Sequence, residues 1–407
     1  MISGQFLKRN LKSIDLTYAF LCAAFFVMPL GTSPFTIAGL LTLSIWTFSG
    51  EFFRARHLYF QSPWFLPVAL IVLLTWAGVT WSADPSGLGF KYAQKTYYWL
   101  YTLVAAAIAF SGKPLKPLLW AFLGGLLVNA TVGLLQLLEI VPSFSPWGVK
   151  GLSGFYSGYN TLAILLVLGM LVASFLFKSA SNLKSRFVLG FLIAVYFFQL
   201  SILESRSGYL VFLVLCPYLL FNLLPPKRRA FRVFLAYLLV ASLLFASPIV
   251  RGRVSHLVFS LERHFTSGIE IASGKKFTDN TDRIYMWRWA FDLFMKHPLI
   301  GIGTGGYREA LLAAGGDRAA DHPHNNFLHI AVSFGILGIA AYGWLFWVLL
   351  RSGWTNRERL AGFFVLSSSL VILVGGLTDT HILDAGGAFL LAITAGVLPD
   401  PLQESDS

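Results

Sequence analysis

The sequence predicts an all-α polytopic membrane protein, and three observations lead there. Hydrophobic residues make up 56% of the 407 while charged residues make up only 12%. Apolar runs of about 18 residues or more, each long enough for one helix to cross a bilayer, recur along the whole chain. The basic residues fall in short clusters between those runs. A soluble core has no room for so much apolar surface, and only helices or closed barrels satisfy their backbone within lipid.

Taken in order, the apolar segments give about 12 spans: 15–30, 35–53, 63–81, 92–111, 117–138, 158–177, 187–204, 207–224, 232–249, 326–350, 360–377 and 383–398. The first follows Lys8, Arg9 and Lys12 without a small-residue cleavage site, so it reads as an uncleaved span. Alternate connections carry Arg54 and Arg56; Lys113 and Lys116; Lys178, Lys184 and Arg186; Lys227 to Arg232; and Arg351 to Arg359. These face the cytoplasm, and both termini with them. Opposite connections such as Gly31–Pro34 and Ser82–Gly89 are poor in Lys and Arg. The net charge of +12 is thus a topology signal, and no nucleic-acid partner is expected. Cys22 and Cys216 both lie inside apolar runs, which excludes a disulfide framework or a thiolate metal site.

The chain divides into residues 1–249 with nine spans, 250–325 as one large outer connection, and 326–407 with three spans and a short tail. The connection carries ten basic and eight acidic residues and is far longer than an ordinary loop. Thr281 or Asp279 caps a helix running to Lys296, with Ile284, Trp287, Phe291 and Phe294 as its apolar face. Gly301-Ile-Gly303-Thr-Gly305-Gly306 has the look of a phosphate loop but lacks a preceding strand and a following Lys-Ser/Thr. A flexible elbow is the expectation there.

The densest polar stretch, His322-Pro-His324-Asn325, opens onto span ten. Asp321 is a candidate cap and Pro323 suits a helix start. His324 then falls in the first turn, where the helix dipole disfavours imidazolium and favours a neutral general base. Gly335 and Gly338 would let a second helix approach. The alternative is a capping cluster with no chemistry. Arg206 sits between spans seven and eight, where an arginine either pairs with Glu204 or lines a polar cavity. Tyr159 and Asn160 enter span six at the same level, as sugar contacts or as interfacial anchors. Asp379, His381 and Asp384 lie between the last two spans, with no role that the residues alone decide.

Arginine's planar fork grips phosphate oxygens in pairs and never deprotonates. Arg206 with Arg283 or Arg288 could hold a pyrophosphate whose tail stays in the bilayer and stabilise it as a leaving group. His324 could then take a proton from an attacking hydroxyl. Together these suggest glycosyl transfer from a lipid-pyrophosphate donor at the outer face. His322, His324 and His329 have no compact carboxylate cluster beside them, so no metal or other cofactor is expected. A transporter of lipid-linked sugar is the competing class, but no internal repeat or mid-span charge series supports it.

His324-Asn325, nine residues and Gly335-Ile-Leu-Gly338 resemble the H-[NSQ]-x9-G-x-x-G pattern of the O-antigen ligase and polymerase superfamily. Asp282-Arg283-Ile-Tyr-Met-Trp287 and His297-Pro298-Leu-Ile-Gly301 resemble that family's large periplasmic loop, and Ser205-Arg206-Ser207-Gly208 its earlier arginine motif. The resemblance implies an inverting, metal-independent, membrane-embedded glycosyltransferase of the C type in the bacterial inner membrane. Its donor would be an undecaprenyl-pyrophosphate-linked glycan. Arg206 and Arg283 would bind pyrophosphate and His324 would activate the acceptor. Arg288, His322, Asn325, Tyr159 and Asn160 are the further substrate contacts expected. Some protein-glycosylating members have Thr after the last motif glycine, where this chain has Ile339. Lipid A–core is the acceptor expected, with a second lipid-linked repeat unit or a protein as alternatives.

Overall fold

The computed structural model describes residues 2–142, 152–156, 158–252, 254–255, 258, 281–315 and 320–398. Asp279, the alternative cap of the loop helix, lies outside them, as do 259–280 of the large connection and the tail beyond 398. The described chain is helical, with no strand among its residues. Every predicted apolar segment is helical over most of its length.

Among the described residues, seven helices are long and apolar enough to cross a membrane unaided. An eighth crossing is counted if Thr32–Phe48 (α2) and Glu51–Gln61 (α3), bent by 96° at their junction, form one broken span. Phe65–Ala77 (α4), Leu360–Gly375 and Ala385–Gly396 are apolar but shorter, and 90–110 alternates α and 3-10 turns. Twelve apolar segments therefore do not make twelve straight rods. The chain is a polytopic helical membrane protein in which several segments are broken, and broken backbone at membrane depth belongs against protein or a cavity.

The hub is Tyr159–Ser179 (α8), with 89% of its apolar window buried. Leu183–Ile202 (α9) and Arg206–Leu223 (α10) pack on it. Gly208 makes the α8–α10 approach possible, because a Cβ there would run into Ala163. The entrance to α8 is held by amides rather than by regular structure. Asn129 and Gln136, both on Leu115–Leu137 (α7), bond the backbone of Ser153, Gly154 and Phe155.

Thr281–Lys296 forms a helix ending where the sequence placed it, but its buried face differs. Met286, Ala290 and Leu293, spaced i, i+4 and i+7, pack on Ile302, Tyr307, Leu311 and Val332. Phe291, expected inside, is 53% exposed. Apolar residues lie on more than one side of this helix, and periodicity alone does not say which side meets protein.

Two glycine expectations are overturned together. Asn326–Thr355 breaks at Gly335, whose φ of +60° is left-handed. What lies nearest Gly335 is not a helix but the Pro298–Leu299 backbone. The 297–303 backbone docks on the break: Ile302 N–H donates to Val332 O at 2.9 Å, and Ile336 N–H donates to Pro298 O at 2.8 Å. A Cβ at Gly335 would strike the Leu299 backbone. The glycine run 301–306 is correspondingly buried throughout, a wedge rather than a flexible elbow. Thr304 fastens it to α4, its N–H donating to Gly78 O and its hydroxyl to Thr75 O at 2.6 Å.

Candidate active site

The helix of Asn326–Thr355 begins later than Asp321 and Pro323 suggested. Asn325 is its N-cap, its side-chain oxygen accepting from Leu328 N–H at 3.0 Å. Asp321 instead pairs with Arg308. His324 thus lies outside the first turn, in a left-handed conformation with φ +49°. For a residue with a Cβ this is uncommon and is held by its surroundings. Asn325 N–H donates to Thr380 Oγ1 at 3.0 Å, and Asn325 Nδ2 donates to Leu377 O at 2.8 Å. Asn326 N–H donates to Gly376 O at 2.7 Å. The turn at 377–380 and the His-Asn turn therefore form one clamped unit.

At its centre, His324 Nδ1 donates to Asp379 Oδ1 at 2.9 Å. Asp379 is buried and also accepts from Thr380 N–H at 2.8 Å and from Asn160 Nδ2 at 2.5 Å. Burial opposes ionisation of this carboxyl. The hydrogen bond from His324 and the positive charge of Arg283 help outweigh burial, and the carboxyl is held well below the usual carboxylate range. A carboxylate is acceptor only, so Nδ1 must carry the imidazole proton. The Nε2 lone pair is left to accept another, in the arrangement that orients a histidine base.

Arg283 reaches the same turn, Nη1 donating to Thr378 O at 2.6 Å and Nη2 lying 3.9 Å from Asp379 Oδ2. Thr378 Oγ1 donates to Ser207 Oγ at 2.8 Å, and Ser205 Oγ donates to Asn160 Oδ1 at 2.9 Å. Ser205 is also the N-cap of α10. The two serines flanking Arg206 are thereby tied to the residues that hold Asp379 and Arg283. So the geometry gathers Asn160, Arg283, His324 and Asn325 on one patch beside the turn that carries Arg206, with Tyr159 adjacent to Asn160 at the start of α8.

Of two further expected contacts, one stands apart and one lies directly beside His324. Arg288 is exposed, about 140° around the helix from Arg283. His322 packs its ring 4.4 Å from that of His324, and its Nδ1 accepts the His324 N–H at 3.4 Å. Burial first, then the neighbouring His324 and His329, push its pKa down to about 3, so it is neutral near pH 7. No three His, Cys, Asp or Glu side chains converge as a metal site among the described residues.

The Asp379–His381–Asp384 connection sorts itself out in space. Asp379 enters the site. Asp384 accepts from Thr161 Oγ1 at 2.7 Å. His381 is wholly buried, against Gly375, where a Cβ would sit 3.0 Å from its ring. Asp379 is the functional candidate that sequence reasoning left undecided. Its only signal was an acid just past the end of a span, 55 residues from its partner.

Comparison with known families reads the same patch. Residues 191–343 match the Wzy_C family model, described as O-antigen ligase. The chain carries an O-antigen ligase family domain. The matched segment holds Arg206, Arg283, Arg288, His322, His324, Asn325 and the Gly335–Gly338 pair, while Tyr159, Asn160 and Asp379 fall outside it. O-antigen ligase and polymerase chemistry is therefore the general class. No curated protein matched the chain.

Proposed function

We propose that this O-antigen ligase family protein transfers a glycan from undecaprenyl pyrophosphate to a hydroxyl of lipid A–core. The transfer takes place at the periplasmic face of the inner membrane, with twelve crossings and both termini in the cytoplasm. The observation that carries the reading is the His324–Asp379 pair set against Arg283 and the Arg206 turn. Arg206 and Arg283 grip the pyrophosphate. The acceptor oxygen attacks the anomeric carbon as the bond to the pyrophosphate oxygen breaks, inverting that carbon. The hydroxyl proton passes to His324 Nε2, Asp379 stabilises the imidazolium formed, and undecaprenyl pyrophosphate departs. Tyr159, Asn160 and Asn325 frame the sugar side of the patch; His322 backs the histidine turn, and Arg288 meets only a substrate that extends past it. The arginine charges stand where other transferases use a divalent ion, so transfer persists in excess chelator.

Lipid A–core is favoured as acceptor because one outer connection is large and the rest are short. The test is the glycolipid profile of cells lacking the protein. The ligase reading expects core-only lipopolysaccharide with full-length glycan stranded on undecaprenyl pyrophosphate. Core carrying a single repeat unit would make the protein a polymerase instead, and an unchanged lipopolysaccharide with unglycosylated protein would make it an oligosaccharyltransferase.

A further inference from the structure

Behind the turn that carries Asp379 lies a partly open cavity of about 50 Å³ that the proposed transfer does not use. Irregular backbone surrounds it: the broken helix of 90–99, the glycine wedge at Thr304 and Gly305, and the segment leading into the Gly335 break. Backbone of this kind is tolerated at membrane depth where it lines a cavity, and such cavities hold polar cargo.

The lining sets one cation, Lys95, and a few polar groups among mostly apolar side chains. Lys95 Nζ donates to Leu383 O at 2.6 Å and lies 5.2 Å from the Tyr92 ring centre. No acidic residue lines the cavity; Asp384, one residue beyond Leu383, attracts Lys95 from outside it and accepts from Thr161. His329 is only 4% exposed, and its Nδ1 has no hydrogen-bond partner among the described residues. The Ser333 hydroxyl shares the wall. Inside the cavity the ammonium meets no carboxylate, and a buried imidazole nitrogen without a partner is costly. Both are relieved by one small anion. The volume holds about four water-sized positions, the number of oxygens on a single phosphate group.

We propose that this cavity is a phosphate subsite, separate from the arginine patch, and that it seats a phosphate group carried by the glycan acceptor. The second half rests on the ligase reading above. Two N–H groups of Lys95 remain after the bond to Leu383, and with Ser333 and His329 they match the acceptor-only surface of a phosphate. The cavity wall at Ile382 and Leu383 belongs to the connection that presents Asp379 to His324. An acceptor anchored there would have its sugar next to the base, across from the pyrophosphate.

The test uses full-length protein in a non-ionic, phosphate-free detergent and radiolabelled inorganic phosphate in equilibrium dialysis. The Arg206→Ala/Arg283→Ala background silences the arginine patch. About one phosphate per chain should still bind, and adding Lys95→Gln should weaken it about 10-fold or more. Ser333→Ala, which removes one oxygen and no charge, should weaken it several-fold and guards against a misfolded lysine variant. Absence of saturable binding in this background, or binding indifferent to both substitutions, overturns the subsite. With wild-type arginines, enzymatic removal of phosphate from lipid A–core should raise the acceptor KM about 10-fold with kcat unchanged, and Lys95→Gln should abolish that difference. Equal KM values overturn the acceptor assignment, as does displacement of bound phosphate by phosphatidylglycerol but not by intact, phosphorylated lipid A–core. Failure to transfer to any core acceptor, with phosphate binding intact, sinks the ligase reading and leaves the subsite standing.

Discussion

His324 and Asp379, 55 positions apart, meet at 2.9 Å between Nδ1 and Oδ1. The meeting is enforced from both sides. Thr380 and Leu377 hold Asn325, and Asn160 holds the second carboxylate oxygen. The histidine pays for this position with a left-handed backbone, and such strain persists only where the surroundings over-determine it.

Asp379→Asn should separate orientation from charge. An amide can donate as well as accept, so the imidazole can settle in the wrong tautomer with its Nε2 protonated. Transfer should fall about 10²- to 10⁴-fold, the usual worth of a positioned base, while donor affinity changes little. Rates of single-turnover transfer beside donor titrations check this; an asparagine variant with normal turnover refutes the orienting role.

Arg206→Ala and Arg283→Ala should each weaken donor binding by about 10- to 150-fold, the equivalent of one charge-assisted contact of about 1.5–3 kcal/mol. Lysine should restore little, because an ammonium lacks the two-point planar grip. Arg288→Ala, on the exposed face, should stay near wild type. Donor affinity measured for the set in detergent decides; a large Arg288 effect would move the pyrophosphate away from the Asp379 turn.

Much of this was legible in the sequence and some of it could not be. Apolar runs gave the helices, and the alternation of basic connections gave an orientation that the fold leaves open. Arg206, Arg283 and His324 stood out because charge and imidazole are costly beside lipid. Asp379 did not, since a lone acid past a span end looks the same whether it faces water or a histidine. Nor did the sequence tell a buried glycine wedge from a flexible one. What buries 301–306 is the helix break at Gly335, and a break made by a single left-handed residue leaves no trace in hydropathy.

Gly335→Ala probes that break. Its φ of +60° strains any side chain, and a Cβ would press on the Leu299 backbone. The variant should lose about 1–3 kcal/mol or more of stability, read as a lowered Tm in detergent. Gly343→Ala, on the same helix and with nothing within 4 Å of an added Cβ, should be the milder change. Equal tolerance of both substitutions would contradict the docked wedge.

His322 makes stability depend on pH. Its folded pKa of about 3 lies below the ordinary 6.5, so the unfolded chain binds the proton more readily between those values. Its contribution is fully present above pH 6.5 and is lost progressively as pH falls toward 3. Wild-type Tm should therefore drop more between pH 6.5 and 4.5 than that of His322→Phe, and parallel curves would count against a buried neutral His322.

Orientation is testable by impermeant thiol labelling in a background without native cysteines. Ser86→Cys and Thr355→Cys, both at exposed positions on opposite connections, should label from opposite faces, Ser86 from the periplasm. Labelling from one face contradicts the alternation.

The most direct test of the central claim is His324→Ala, with donor affinity and single-turnover transfer measured on the same folded preparation. The account predicts donor binding within a few-fold of wild type and transfer reduced about 10²- to 10⁴-fold. A stable His324→Ala protein that transfers glycan at the normal rate would contradict it, and would return the His-Pro-His-Asn turn to a purely structural role.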